Sequence, residues 1–127
     1  KYEGKFDLII IRHVVEHMMD PAGSFEKLKI VLNENGFIYI ATPDMMHPRT
    51  VLRDYGNWWE YWFRPVHPYY YCKETLFKTI ELGSLYSVMH GEEDEEVWCL
   101  ATLNKKKPIE FDSVYKEQMS LLDLHLK

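Results

Sequence analysis

The sequence predicts an α/β fold in which two parallel strands, joined by a crossover helix, precede an antiparallel hairpin. An apolar run rich in β-branched residues, Leu8 to Ile11, indicates the first strand. A turn at Asn35-Gly36 separates the next helix from a second short apolar run, Phe37 to Ala41. That helix is indicated by apolar residues at helical spacing: Phe25, Leu28, Val31 and Leu32. A strand-helix-strand unit favours parallel pairing and a right-handed crossover.

Weaker patterns predict the elements of the second half. A helix begins at Cys72 or Lys73 and stops at Gly83, and its apolar positions are Leu76, Phe77, Ile80 and Leu82. Two short strands, Leu85 to His90 and Val97 to Leu103, flank an acidic turn and form a hairpin. The aromatic stretch from Asn57 to Tyr71 contains two prolines and is not one continuous helix.

The chain divides at its basic run. Residues 1–104 form the α/β unit, and residues 105–127 form a linker followed by an amphipathic helical tail, Phe111 to Leu126. A net charge of −5 and a pI near 5.7 argue against a nucleic-acid partner, because binding phosphates requires clustered cations. No apolar segment approaches the roughly 18 residues of a membrane span. Two widely spaced cysteines predict free thiols and a cytoplasmic location.

Residues at the ends of the two parallel strands indicate where a site lies. Arg12 to His17 follow the first strand, and Thr42 to Asp44 close the second. Ligands of open α/β sheets bind beyond the carboxyl ends of the strands, so both segments are expected on one rim.

The order of these motifs resembles the second half of a class I methyltransferase that uses S-adenosylmethionine (SAM), in its small-molecule branch. The matching residues are Phe6-Asp7, Glu16-His17, Asp20-Pro21, Leu32, Gly36 and Thr42-Pro43-Asp44. A further segment from His67 to Leu76, followed by Gly83, is similar to the family pattern His-x-Tyr-x-Phe-Ser-x-Glu-x-Leu. The resemblance covers about residues 5–104 and implies a partial Rossmann-like methyltransferase sheet.

The resemblance also implies the roles of individual residues. Arg12, His13, Val14, Glu16 and His17 are expected on the cofactor side. On the acceptor side it places Asn57, Trp58 and Tyr70 in the aromatic segment. His67 is the first candidate for a general base because imidazole titrates near neutrality, and Asp44 is the alternative. The acceptor is expected to be a small molecule, sugar, lipid or quinone.

The features with which this family holds SAM are missing from the chain. The six glycines are all more than five residues apart, so no Gly-x-Gly turn exists. We therefore expect a fragment of a methyltransferase that is inactive in isolation, or alternatively a non-catalytic association module. The open edge of strand 7–11 is then expected to pair with a second copy in a homodimer, with the tail helix covering its apolar faces.

Two metal hypotheses follow from His13-Val-Val-Glu16-His17. The order H-x-x-E-H is a zinc-peptidase pattern, but here it straddles a strand end, whereas that chemistry needs a helix. In the second hypothesis, His13, Glu16 and His17 surround a divalent ion. This trio resembles the acidic and histidine side chains of the same loop that surround such an ion in some related quinone O-methyltransferases. A loop that satisfies its own polar groups explains the same residues, and we predict no resident metal.

Overall fold

The structure, a computed structural model, describes residues 2–47 and 66–105. Its elements are, in chain order, β1 (Phe6–Arg12), a single 3-10 turn (Val15–His17), α1 (Pro21–Val31), β2 (Leu32–Pro43), α2 (Lys73–Leu82), β3 (Tyr86–Glu93) and β4 (Glu96–Thr102). The strands form one sheet in the order β1-β2-β4-β3. β1 and β2 are parallel, and the other two pairs are antiparallel. The predicted strand-helix-strand unit and hairpin are both confirmed.

Local signals fix the beginning of α1 but not its end. Asp20 caps the helix by accepting a 2.9 Å hydrogen bond from the backbone N–H of Gly23, and Pro21 occupies the first turn. The predicted break at Asn35-Gly36 is wrong, because the helix ends at Val31 and β2 starts at Leu32. Leu32 pairs with Phe6 of β1 and is buried, so sheet formation takes over this residue from the helix.

The predicted limits of the second helix agree with the structure. α2 runs from Lys73 to Leu82, with Cys72 at its N-cap and Gly83 at its C-cap. Thr75 accepts a hydrogen bond from the backbone N–H of Cys72, which satisfies a group that the helix leaves unpaired. Glycine is required after this helix, because a Cβ on Gly83 would lie 2.6 Å from the Cβ of Phe25.

One sheet face carries the hydrophobic core. Phe25 from α1 and Leu76 and Ile80 from α2 pack in one cluster with inward-facing strand residues. Those strand residues are Ile11, Ile38, Ile40, Val97, Cys99 and Ala101. The paired Ile9–Ile38 and Ile11–Ile40 positions show that β1 and β2 present the same face to the helices. Both described helices therefore cover the same side of the sheet.

The opposite face of β1 is open. Leu8 and Ile10 remain 52% and 66% exposed, although their neighbours Ile9 and Ile11 turn toward the core. Within residues 2–47 and 66–105, β1 pairs only with β2 and forms the edge of the sheet. The predicted open edge is thus present in the part of the chain that the structure describes.

Two connections complete the fold. Asp94 and Glu95 both have positive φ angles, 49° and 72°, which is the backbone of a type I′ hairpin turn. Their turn is shorter than the predicted acidic turn, because β3 extends to Glu93. α1 and α2 span 11 and 10 residues, and neither is long and apolar enough to cross a membrane. The predicted tail helix lies outside the described residues.

Candidate functional site

The chain turns sharply where β1 ends. His13 has a φ of 53°, a left-handed conformation that few residues other than glycine adopt, although histidine tolerates it better than most. Its backbone N–H still donates to the carbonyl of Ala41, at 2.9 Å, and so extends the ladder between β1 and β2. The following 3-10 turn then buries Val15 and Glu16 beneath the rim of the sheet.

A buried hydrogen bond joins the two rim segments. The hydroxyl of Thr42, at the end of β2, donates to Oε2 of Glu16 at 3.0 Å. Both side chains are buried. The predicted meeting of residues 12–17 with residues 42–44 is confirmed by this contact.

The second carboxylate oxygen of Glu16 is in a different situation. Oε1 is buried and has no hydrogen-bond partner among residues 2–47 and 66–105. Burying an oxygen of this kind without a partner is unfavourable by about 1–3 kcal/mol, and by more when the group is charged. Such an atom in a site needs an explanation beyond packing.

Two histidines lie beside the Glu16 carboxylate. Nε2 of His17 is 4.0 Å from Oε1 of Glu16, and the ring of His17 meets the ring of His67 edge-on, with centroids 4.6 Å apart. Nδ1 of His17 lies 2.9 Å from the carbonyl oxygen of Val66. Because a carbonyl oxygen only accepts hydrogen bonds, Nδ1 carries the proton. In the neutral ring, Nε2 then keeps its lone pair.

Arg12 and His13 are directed away from that cluster. The guanidinium of Arg12 donates to Glu96 from Nη2 at 2.8 Å and from Nε at 3.2 Å, and His13 Nε2 contacts the same carboxylate. Burial alone raises the pKa of Glu96, but the hydrogen bonds from Arg12 and His13 outweigh it and lower this pKa below its ordinary value. The ionised carboxylate therefore adds stability at neutral pH that disappears as acid protonates it.

Glu96 is a rim residue that sequence reasoning missed. The sequence pattern places it in the acidic turn between the two strands of the hairpin. β4 runs antiparallel to β2 and pairs Glu96 with Pro43, so the first residue of β4 lies at the carboxyl end of β2. The sheet order would have revealed this placement, but no local motif does.

Asp44 lies beside the same rim. It is buried, and its Oδ1 accepts a 2.9 Å hydrogen bond from the backbone N–H of Met46. Burial raises the pKa of its carboxyl above the ordinary value, and the bond from Met46 opposes this shift only in part. The backbone N–H of the next residue, Met45, donates a 2.7 Å hydrogen bond to the carbonyl of Tyr71.

The segment before α2 crosses the rim from the other side. His67 is half-buried, and Tyr70 packs edge-on against it with ring centroids 6.4 Å apart. The hydroxyl of Tyr69 donates to the carbonyl of Met19 at 3.3 Å, which holds this segment beside the 3-10 turn. Val14 projects outward and is exposed. The predicted acceptor-side residues Asn57 and Trp58 lie outside the described residues.

The predicted site residues thus form separate groups. One is made of Glu16, His17 and His67, with Tyr70 at its border, and the other joins Arg12 and His13 to Glu96. Asp44 lies at the turn after β2. Both cysteines are free thiols, as expected, and burial raises the pKa of Cys99 to about 12.

Comparison with known proteins agrees with the resemblance found in the sequence. A family model described as a methyltransferase domain matches residues 1–81. The fold is similar to a Thermotoga maritima SAM-dependent methyltransferase, described as a possible histamine N-methyltransferase, with a TM-score of 0.63 and 12% identity. It is also similar to a SAM-dependent methyltransferase from Archaeoglobus fulgidus, with a TM-score of 0.56 and 12% identity.

The similarity to the two solved structures extends over only part of each of those proteins. The matches cover 80% and 79% of this chain, but only 58% and 60% of the Thermotoga and Archaeoglobus chains. This chain therefore spans about three fifths of the length of either protein. No curated protein matches the sequence. The family match covers well over half of the chain and agrees with the sheet order and rim described above, so the chain belongs to the methyltransferase-domain family.

Proposed function

We propose that this chain is the C-terminal half of a catalytic domain that transfers a methyl group from SAM to a small-molecule, sugar, lipid or quinone-type acceptor. The observation that carries the proposal is the shared rim, where Thr42 binds Glu16 and the 66–71 segment packs alongside. The family match and the two similar folds support it. The Thermotoga protein's description as a possible histamine methyltransferase favours a small acceptor.

The described residues fit one wall of a SAM pocket. The left-handed turn at His13 and the exposed side chain of Val14 leave the backbone after β1 accessible to a ligand. No glycine lies in this turn, and the sequence has no Gly-x-Gly turn in which backbone could approach the cofactor closely. SAM, when bound, supplies the electrophilic methyl group. Arg12 to Val14, Glu16 and His17 would line its methionine side.

On the acceptor side, the chain's role is to align the acceptor and remove a proton. Asn57, Trp58 and Tyr70 would contact the acceptor, and the two aromatic rings would exclude water. His67 and Asp44 are the candidates for general base. The raised pKa of Asp44 suits a base better than an ordinary aspartate, because a stronger base takes the proton more readily near neutral pH.

The two candidate bases are distinguishable by the pH dependence of turnover in a protein that carries the whole domain. If Asp44 is the base, activity falls as the pH drops through the raised pKa of its carboxyl, and Asp44→Asn abolishes this acidic limb and most of the turnover. His67→Ala then keeps the limb in place. Loss of the limb in His67→Ala, with its retention in Asp44→Asn, would assign the role to His67 instead.

SAM binding tests the proposed division of the domain. We expect the isolated 127-residue chain to give no measurable heat with SAM at millimolar concentration, because it supplies only one wall of the pocket. A longer chain that adds a Gly-rich upstream half is expected to bind SAM in the micromolar range. Micromolar binding by the isolated chain would contradict the proposal, and so would failure of the longer chain to bind.

A non-catalytic association module is the second candidate, and the open edge of β1 favours it. Leu8 and Ile10 are exposed on an unprotected strand, and an apolar edge recruits another chain. Two copies of β1 would pair antiparallel about a two-fold axis, a contact that uses the same surface twice. We propose this homodimer for the isolated chain. A cytoplasmic location stays a prediction from the cysteines.

Sedimentation velocity of the isolated chain tests the homodimer. We expect a dimer at high protein concentration and a monomer for Ile10→Lys, because a charge on the edge strand opposes strand pairing. Ile30→Lys is the matched control, since Ile30 is similarly exposed but lies on α1. A monomeric parent chain, or dissociation by the control variant, would reject the pairing through β1.

A further inference from the structure

We propose that Glu16, His17 and His67 bind a divalent transition-metal ion of the Zn²⁺ class. One donor atom from each side chain lies within 4.8 Å of the others. The group unites a carboxylate and a histidine of the 3-10 turn with a histidine 50 residues later in the chain. It therefore differs from the local trio of His13, Glu16 and His17, and it departs from our sequence-based prediction of no metal.

The buried oxygen of Glu16 is an independent observation that points to a ligand. Glu16 is only 3% exposed, and Thr42 holds Oε2, which leaves Oε1 as the oxygen that lacks a hydrogen-bond partner within the described residues. Oε1 lies beside Nε2 of His17, 4.0 Å away. A cation between these atoms would compensate the burial of the carboxylate, which is otherwise strongly unfavourable.

The tautomer of His17 fits the same role. Nδ1 donates to the carbonyl of Val66, so Nε2 presents its lone pair toward Glu16. Histidines that bind metals almost always donate their other N–H in this way, and ligating carboxylates are in turn hydrogen-bonded. Val66 and Thr42 supply these two outer contacts here.

The donor set selects the class of ion. Two imidazoles and one carboxylate suit Zn²⁺ and neighbouring transition ions, whereas Mg²⁺ and Ca²⁺ prefer oxygen donors. Tetrahedral Zn²⁺ with bonds of about 2.0–2.1 Å separates its ligands by about 3.3 Å. The observed 4.0 Å between Glu16 and His17 and the 4.8 Å limit are wider, so on binding this pair would close by about 0.7 Å and any pair by at most about 1.5 Å. A fourth position would remain for water or another group.

The position of His13 argues against its binding the metal ion. Its Nε2 contacts Glu96, on the other side of the rim. His67 takes the third position because the 66–71 segment lies next to the turn. A metal would therefore tie this segment to the end of β1, and it would leave Asp44 as the general base while it is bound.

Metal titration of the isolated chain tests the proposal without reference to SAM or turnover. After treatment with a chelator and its removal, ZnCl₂ is expected to bind one ion per chain by calorimetry. Co²⁺ should give visible absorption bands typical of a nitrogen-ligated ion. Glu16→Gln, His17→Gln and His67→Gln should each weaken Zn²⁺ binding at least tenfold. His13→Gln is the discriminating control and His90→Gln the general one, and both should bind as the parent does.

Folding and outer contacts are checked separately. Far-UV circular dichroism in the presence of chelator should be the same for the parent and the glutamine variants. Thr42→Val changes no ligand atom, yet it should weaken Zn²⁺ binding about tenfold or more, because an outer hydrogen bond orients the carboxylate. Absence of one-to-one binding by the parent, unchanged binding in His67→Gln, or equal loss in His13→Gln would each overturn the proposal.

Discussion

Replacing Phe25 with Ala should lower the free energy of unfolding by about 3–5 kcal/mol. Phe25 lies on α1, and its side chain is fully buried against the C-terminal end of α2 and the sheet. Gly83 approaches so closely that an added Cβ would meet Phe25 at 2.6 Å, which shows that α2 already lies against this side chain. The cavity left by the substitution would therefore collapse only in part. Urea denaturation followed by far-UV circular dichroism measures the loss.

The matched control is on the same helix. Ile30 is apolar but 61% exposed, so Ile30→Ala should change the free energy of unfolding by no more than about 0.5 kcal/mol. A loss below about 1 kcal/mol for Phe25→Ala would show that the two helices do not share this core. An equally large loss in Ile30→Ala would show instead that the exposed side of α1 is covered.

Replacing Thr42 with Val should lower the free energy of unfolding by about 2–3 kcal/mol at neutral pH, measured without metal. Valine has nearly the same shape but cannot donate to Oε2 of Glu16. Because Oε1 already lacks a hydrogen-bond partner among the described residues, the variant would leave neither oxygen of the buried carboxylate with such a partner within residues 2–47 and 66–105. Chemical denaturation of parent and variant measures the difference.

Thr102 provides the comparison. It is also fully buried, but its hydroxyl donates to the neutral backbone carbonyl of Gly36, at 3.1 Å. Thr102→Val should therefore lower the free energy of unfolding by only about 1 kcal/mol, since hydrogen bonds to charged groups contribute more than neutral ones. Equal losses in the two variants would mean that the hydrogen bond from Thr42 to the Glu16 carboxylate contributes no more stability than a hydrogen bond to a neutral carbonyl.

Much of the fold followed from local patterns. The two ends of α2 followed from signals that act within a few residues, and the structure agrees with them. The parallel pairing of β1 with β2 followed from the helix between them. The end of α1 did not follow from local patterns, because it depends on the pairing of Leu32 with Phe6, which are distant in the chain.

The candidate site was also predictable in part from the sequence. Glu16, His17 and Thr42 were placed on one rim by the rule for strand ends, and the hydrogen bond between Glu16 and Thr42 agrees. Glu96 was missed because its position depends on which strand lies next to β2. The contact between His17 and His67 was also beyond sequence reasoning, since nothing local relates two residues so far apart.

By itself, the sequence determined the α/β class, the two described helices, the rim residues that follow β1 and β2, and the family of this chain. These depend on periodicity, capping and motif order, which are properties of short segments. Only the tertiary structure decided which side chains meet: Arg12 and His13 turn to Glu96, while His67 joins Glu16 and His17. Such partners are set by strand order and by the path of the segment before α2. They exist only after distant parts of the chain have packed together.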